Sequence, residues 1–307
     1  MNATIEVGGL VDIIGTITME FFSLVNVVII CSILAVSGLV ANVINLCVFY
    51  RHGLNNSMNI SFFALTMTML INLLFLLWRV ICVYPFMDRS GFPIVFNEIK
   101  LLTAGWPNVC VNRVVSWITV YITAERCFSI TIPLKVKLVF TSRRAVVVLV
   151  LIYVINFMTL IPEYCVLYLD WKFFPSQNKT IIGLVYRTNR PPLEGLTSGL
   201  NAIFTVTAFI GMIIFTSILI KVLKQKSKWR RKAMPDKDKT ESFSTRQKKK
   251  TVTMVIALAC VMIACYTNSV FVTSVAALVP EFSAYGETGQ LVPGRGNLHL
   301  FVHRHQL

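Results

Sequence analysis

Apolar residues fall in runs of about twenty or more, separated by short polar stretches, along most of this 307-residue chain. A helix of about twenty residues crosses the roughly 30 Å hydrocarbon layer of a bilayer. Each run therefore predicts a membrane-spanning helix. Six spans are expected: 23–50, 57–81, 101–131, 143–168, 197–226 and 249–279. Residues 1–22 precede them. Residues 280–307 form an atypical tail with no apolar run long enough to cross. The pattern predicts one all-α integral membrane domain over 23–279.

Composition agrees with that pattern. Hydrophobic residues make up 55% of the chain and charged residues 14%, and the mean hydropathy is +0.69. The net charge of +15 would suit a nucleic-acid binder, but its distribution argues otherwise. Of the 29 Lys and Arg, 18 lie in three alternate loops: Arg51; then Lys135, Lys137, Arg143 and Arg144; then thirteen within 221–250. The first twenty-two residues carry none, but include Glu6, Asp12 and Glu20. By the positive-inside rule, the N-terminus lies outside and the basic loops face the cytoplasm and its anionic lipids. Basic residues that flank membrane spans are poorly placed for nucleic acid. Localisation is expected to be the plasma membrane, with the first span acting as its own insertion signal. Asn2 and Asn178 begin glycosylation sequons on the outer side. Those at Asn55 and Asn59 lie on the inner side and are expected to stay unmodified.

Polar residues inside the spans are the candidate functional groups. Asn42 in the first span and Asn268 in the sixth would bond across helices. In the third span, Asn108 and Asn112 share a face, and Arg113 is the one full charge between Lys100 and Glu125. Arg113 either pairs within the bundle, with Glu163 as the obvious acid, or meets an anionic group on a ligand. Glu125 and Arg126 stand side by side at the end of this span, and Pro133 follows seven residues after the arginine. Near hydrocarbon an unpaired arginine is costly, so the pair suits a two-state switch; a structural ion pair at a helix end is the alternative. No enzyme is indicated, because the spans contain no paired carboxylates, metal-spaced Cys/His set or nucleophile–base constellation. Neither a cofactor nor a metal is expected. His299, His303 and His305 lie in the tail and are read as incidental.

The run Glu125-Arg126-Cys127 with Pro133-Leu134 resembles the signature that ends the third helix of rhodopsin-like G protein-coupled receptors. Asn42 resembles that family's helix-1 asparagine. Cys265-Tyr266-Thr267-Asn268 resembles its C-W-x-P run, with Tyr266 for tryptophan and Asn268 for proline. Met69 stands where the family has a sodium-binding aspartate, and a thioether is a poor ligand for a hard cation. Phrases around Trp117-Ile118-Thr119, Pro133-Leu134-Lys135-Val136-Lys137 and Asp170-Trp171-Lys172-Phe173-Phe174-Pro175 are similar to molluscan chemosensory receptors and FMRFamide-type peptide receptors.

The resemblance covers residues 23 to about 282. It implies a seven-helix plan with six transmembrane helices present and the seventh missing, so the chain reads as a C-terminally truncated receptor. Its partners would be an extracellular small molecule or short peptide, a cytoplasmic heterotrimeric G protein and membrane lipids. Glu125, Arg126, Cys127, Pro133 and Leu134 would form the G-protein switch. Asn108, Asn112, Arg113 and Tyr266 would line the ligand pocket. The family also ties the top of its third helix to the second outer loop by a disulfide. Leu101 occupies the usual cysteine position, but a helix starting at Pro107 would put Cys110 in its first turn, within reach of Cys165. Two alternatives stand beside this reading: a non-signalling truncated receptor that associates with full-length ones, and a multi-pass transporter or channel.

Overall fold

The computed structural model describes residues 24–84, 91–132, 138–174, 179–187, 190–233 and 243–278, with single positions beside these segments. Six long helices dominate: α1 Cys31–Arg51, α2 Ser57–Val83, α3 Trp106–Thr131, α4 Ser142–Met158, α5 Arg190–Ala233 and α6 Phe243–Leu278. A π-helical segment, Leu24–Ile30, leads into α1, and a second, Leu101–Gly105, leads into α3. Among the described residues, five stretches are long and apolar enough to cross a membrane: Val28–Arg51, Ser57–Val83, Ser142–Val166, Gly195–Gln225 and Thr253–Val275. At 26 residues α3 has the length, about 39 Å, but Arg113, Glu125 and Arg126 lower its apolarity.

That polarity is tolerable because α3 is the central helix. It packs against α2, α4, α5 and α6, so its polar groups meet protein rather than lipid. The common core joins Phe62 and Leu65 of α2, Val114, Ile118 and Ile122 of α3, Leu149 of α4, Leu219 of α5 and Val255 of α6. Outward faces are apolar too, with Val147, Leu151 and Met158 exposed on α4 and Ile203 on α5. A water-soluble bundle would place polar residues there. At Gly38 of α1 a Cβ would lie 3.0 Å from Leu73 Cδ1 of α2, so the missing side chain permits close approach of these helices.

Local signals set the helix ends. Asn56 caps α2 by accepting from the Met58 amide at 3.4 Å. Thr141 caps α4 by accepting from the Arg144 amide, also at 3.4 Å. Helices α5 and α6 have 44 and 36 residues, about 66 and 54 Å. Both exceed the roughly 30 Å hydrocarbon core. The excess includes the basic stretch at the end of α5 and the start of α6.

One element departs from the all-helical expectation. After a short helix, Ile161–Val166, the chain forms an antiparallel hairpin of β1 Leu167–Phe174 and β2 Lys179–Tyr186, with Leu167 opposite Tyr186 and Phe174 opposite Lys179. Aromatic and β-branched residues fill both strands and suit a pleated surface. The hairpin is tied to the segment before α3: the Val95 amide donates to the Ile182 carbonyl, and the Leu184 amide to the Glu98 carboxylate. Lys172 adds an ion pair to Glu98 at 3.6 Å. The hairpin therefore sits at the end of the bundle where α3 begins. Asn2, Pro133, Leu134, Asn178 and the tail 280–307 lie outside the described residues.

Candidate functional site

Two polar regions occupy opposite ends of α3, and the one near its start is the more elaborate. Three asparagines close a ring of hydrogen bonds between α2 and α3. Asn72 Nδ2 donates to Asn112 Oδ1 at 3.0 Å, Asn112 Nδ2 to Asn108 Oδ1 at 3.2 Å, and Asn108 Nδ2 to Asn72 Oδ1 at 2.7 Å. Asn108 and Asn112 lie one helical turn apart, so a single amide from α2 can bridge them. From α6, the Tyr266 hydroxyl donates to the Asn112 carbonyl. Three helices thus meet at Asn112.

Arg113 points the other way, toward α5 and the end of α4, and is 2% exposed. Nη1 donates to Asn201 Oδ1 of α5 and Nη2 to the Thr159 hydroxyl after α4. Nε is buried without a partner. Thr159 in turn donates to the Asn156 carbonyl at 2.7 Å. The guanidinium is therefore held by neutral oxygens, and no carboxylate is in ion-pair contact with it among the described residues. Glu163 is buried four residues beyond Thr159, and the hydrogen bonds of Arg113 go to Asn201 and Thr159. A buried cation held only by dipoles is an arrangement that an added anion would stabilise.

Cys110 is a buried free thiol whose Sγ donates to the Asn156 carbonyl at 3.3 Å, and Cys165 is free and exposed. The expected Cys110–Cys165 disulfide is not formed. Cys110 faces α4, one turn inside α3, and a bridge there would have to replace this helix contact.

At the far end of α3, Glu125 is 6% exposed and Cys127 is also buried. Glu125 lies beside Ser57 at the start of α2 and next to Arg126. Glu125 Oε2 and Arg126 Nε are both buried without hydrogen-bond partners, and no contact ion pair joins the two side chains. Tyr121 and Phe128 of α3 both pack on Phe140, at ring-centroid distances of 5.8 Å. That aromatic contact holds Phe140, just before α4, against α3.

Two further expectations are corrected. Asn42 does not reach another helix; its Nδ2 donates to the Gly38 carbonyl one turn back at 2.9 Å. A short amide facing its own backbone finds an acceptor without a neighbour. Asn268 is exposed on α6 and makes no hydrogen bond among the described residues. Met69, at the position of the missing aspartate, packs against the core.

Sequence reasoning missed Asn72, Asn201 and Thr159. One signal was present for α5. Thr197, Asn201 and Thr205 recur every fourth residue in an apolar helix, and all three are buried.

No family model matches the chain. Among curated proteins, it is similar to a tachykinin-like peptides receptor, 86C, of Drosophila melanogaster, with 27% identity over 197 residues. The match covers 58% of this chain and 37% of that receptor, well under half its length. A mostly helical chain with membrane-length apolar helices is thus similar, over more than half its length, to a peptide receptor.

Proposed function

We propose that the chain is a rhodopsin-like G protein-coupled receptor for a short extracellular peptide, set in the plasma membrane with its N-terminus outside. The end of α3 near the hairpin faces outward and receives the ligand. The end bearing Glu125 and Arg126 faces the cytoplasm, beside the basic residues of 221–250, and meets a heterotrimeric G protein. One observation carries the reading: a single central helix holds a polar cluster around buried Arg113 at one end and the adjacent Glu125 and Arg126 at the other. Arg113 and Arg126 are about 20 Å apart along it.

The proposed mechanism is a shift between two packings of α3, α5 and α6. Asn201 ties α5 to α3 through Arg113, and Tyr266 ties α6 to α3 at Asn112. A ligand that disturbs either contact moves a helix whose other end borders Arg126. In the moved state Arg126 leaves the side of Glu125 and reaches the G protein. Arg113 favours a peptide with an anionic group, because its hydrogen-bond partners, Asn201 and Thr159, carry no charge. A charge-assisted hydrogen bond there contributes roughly 1.5–3 kcal/mol.

The comparison also favours a peptide over a small chemical cue, since the similar fly protein is a receptor for tachykinin-like peptides. The test is a panel of short peptides, tachykinin-like sequences included, each with and without its acidic groups. G protein activation is read in cells expressing the chain. Arg113→Gln is expected to reduce potency for an acidic agonist about tenfold or more, and to leave its neutral analogue unchanged. Equal potency of the acidic agonist on both receptors would remove Arg113 from the ligand site.

A further inference from the structure

A groove runs up the outside of the bundle between α3, α4 and α5, and reaches Asn156, whose carbonyl accepts from Cys110 and Thr159. It encloses about 360 Å³ and is lined by Trp117, Tyr121, Leu151, Ile152, Ile155 and Phe204. Its walls are almost wholly apolar side chains. Leu151 and Ile155 are about half exposed, so the groove opens onto the outer face of the bundle. In a helix of membrane-spanning length, that face meets lipid chains rather than water.

A second cavity of about 410 Å³ adjoins it and shares Tyr121 and Val148. Its lining changes character, because Arg143 and Arg144 from the first turn of α4 form one wall. Arg144 Nη1 donates to the Leu138 carbonyl at 2.6 Å, which fixes the guanidinium beside the cavity. Neither arginine has a carboxylate partner among the described residues. An apolar trough thus ends in two uncompensated cations. From Arg144 to Ile155 the helix rises about 16 Å, an acyl-chain length rather than that of a compact solute.

We propose that this groove holds one anionic phospholipid, its acyl chain against Trp117, Leu151 and Ile155 and its phosphate on Arg143 and Arg144. Charge complementarity selects the occupant. A zwitterionic lipid fits the trough equally well and also offers a phosphate, but its own headgroup cation offsets that charge, so a net-anionic lipid compensates the two guanidinium groups better. Arginine suits the role, since its planar fork matches phosphate oxygens. The site is separate from the peptide site proposed above and stands whether or not that reading holds.

The test uses the full chain in bilayer discs of phosphatidylcholine doped with photoactivatable lipid. Phosphatidylserine or phosphatidylcholine with the same diazirine-bearing acyl chain is added at equal mole fraction. Adducts are then mapped by mass spectrometry. Labelling of Trp117 and of residues 148–155 by the serine lipid is expected to exceed that by the choline lipid roughly thirtyfold, the effect of two basic side chains on an anionic headgroup. In Arg143→Gln/Arg144→Gln the two lipids should label equally. Equal labelling of the unmodified chain would overturn the proposal. So would a serine-lipid excess that maps elsewhere, or one that survives loss of both arginines.

Discussion

Replacing Asn72 with Ala removes one corner of the asparagine ring and tests whether the ring acts as a unit. The substitution takes away the 2.7 Å bond from Asn108 and the 3.0 Å bond to Asn112, leaving the 3.2 Å bond within α3. Hydrogen bonds between membrane helices contribute about 0.6 kcal/mol on average and up to about 1.7. Two lost bonds therefore cost about 1–2 kcal/mol, with more expected where the partners stay buried and unpaired. Asn108→Ala also breaks two sides of the same triangle. Once either corner is gone, the second substitution has one remaining bond to lose. The double variant should therefore be less destabilised than the sum of the singles, by about 0.5–1 kcal/mol. Reversible unfolding in mixed micelles measures all four species. Asn42→Ala, whose side chain bonds its own helix, is the control and should add independently. Additivity of Asn72→Ala and Asn108→Ala to within about 0.3 kcal/mol would refute the closed ring.

Other outcomes follow from the same contacts. Gly38→Val should destabilise the chain by about 1–3 kcal/mol through overlap with Leu73, and Leu73→Ala should restore part of the loss in a thermal-unfolding series. Asn201→Ala should cost about 2 kcal/mol by leaving Arg113 Nη1 buried and unpaired, and should cost much less in an Arg113→Gln background. Epitope tags on intact cells should be accessible at residue 2 and hidden within 221–250; surface staining of the basic segment would reverse the orientation.

The helices were legible in the sequence because apolar run length reports burial in hydrocarbon without any knowledge of neighbours. The chemistry of α3 was legible for the opposite reason. Arg113 and Glu125-Arg126 are costly in such a run, so their presence marks a helix that faces protein rather than lipid. Partners were harder to read. Helices α1 and α4 are apolar around most of their circumference, so no stripe tells which side meets protein. That is why the pattern did not reveal that Asn42, expected to bridge helices, bonds its own backbone; Asn72 on α2 and Asn201 on α5 are polar residues in apolar runs whose partners only the packing shows. Asn268 illustrates the same blindness to rotation, since it faces outward from α6. The hairpin after α4 was obscured by an apolar run that continues past the helix end, where only its β-branched and aromatic content distinguishes strand from span. The Cys110–Cys165 pairing rested on resemblance, and the thiol of Cys110 turns instead to the Asn156 carbonyl.

The central claim is that a signal received near Arg113 is delivered at Arg126 through one helix. Its most direct test is peptide-evoked nucleotide exchange on a purified G protein, with the chain and its Arg126→Ala variant in identical bilayer discs. Peptide binding is measured on the same samples. The account requires the variant to bind the peptide with unchanged affinity and to lose exchange activity. Full exchange activity from Arg126→Ala, with binding intact, would contradict it.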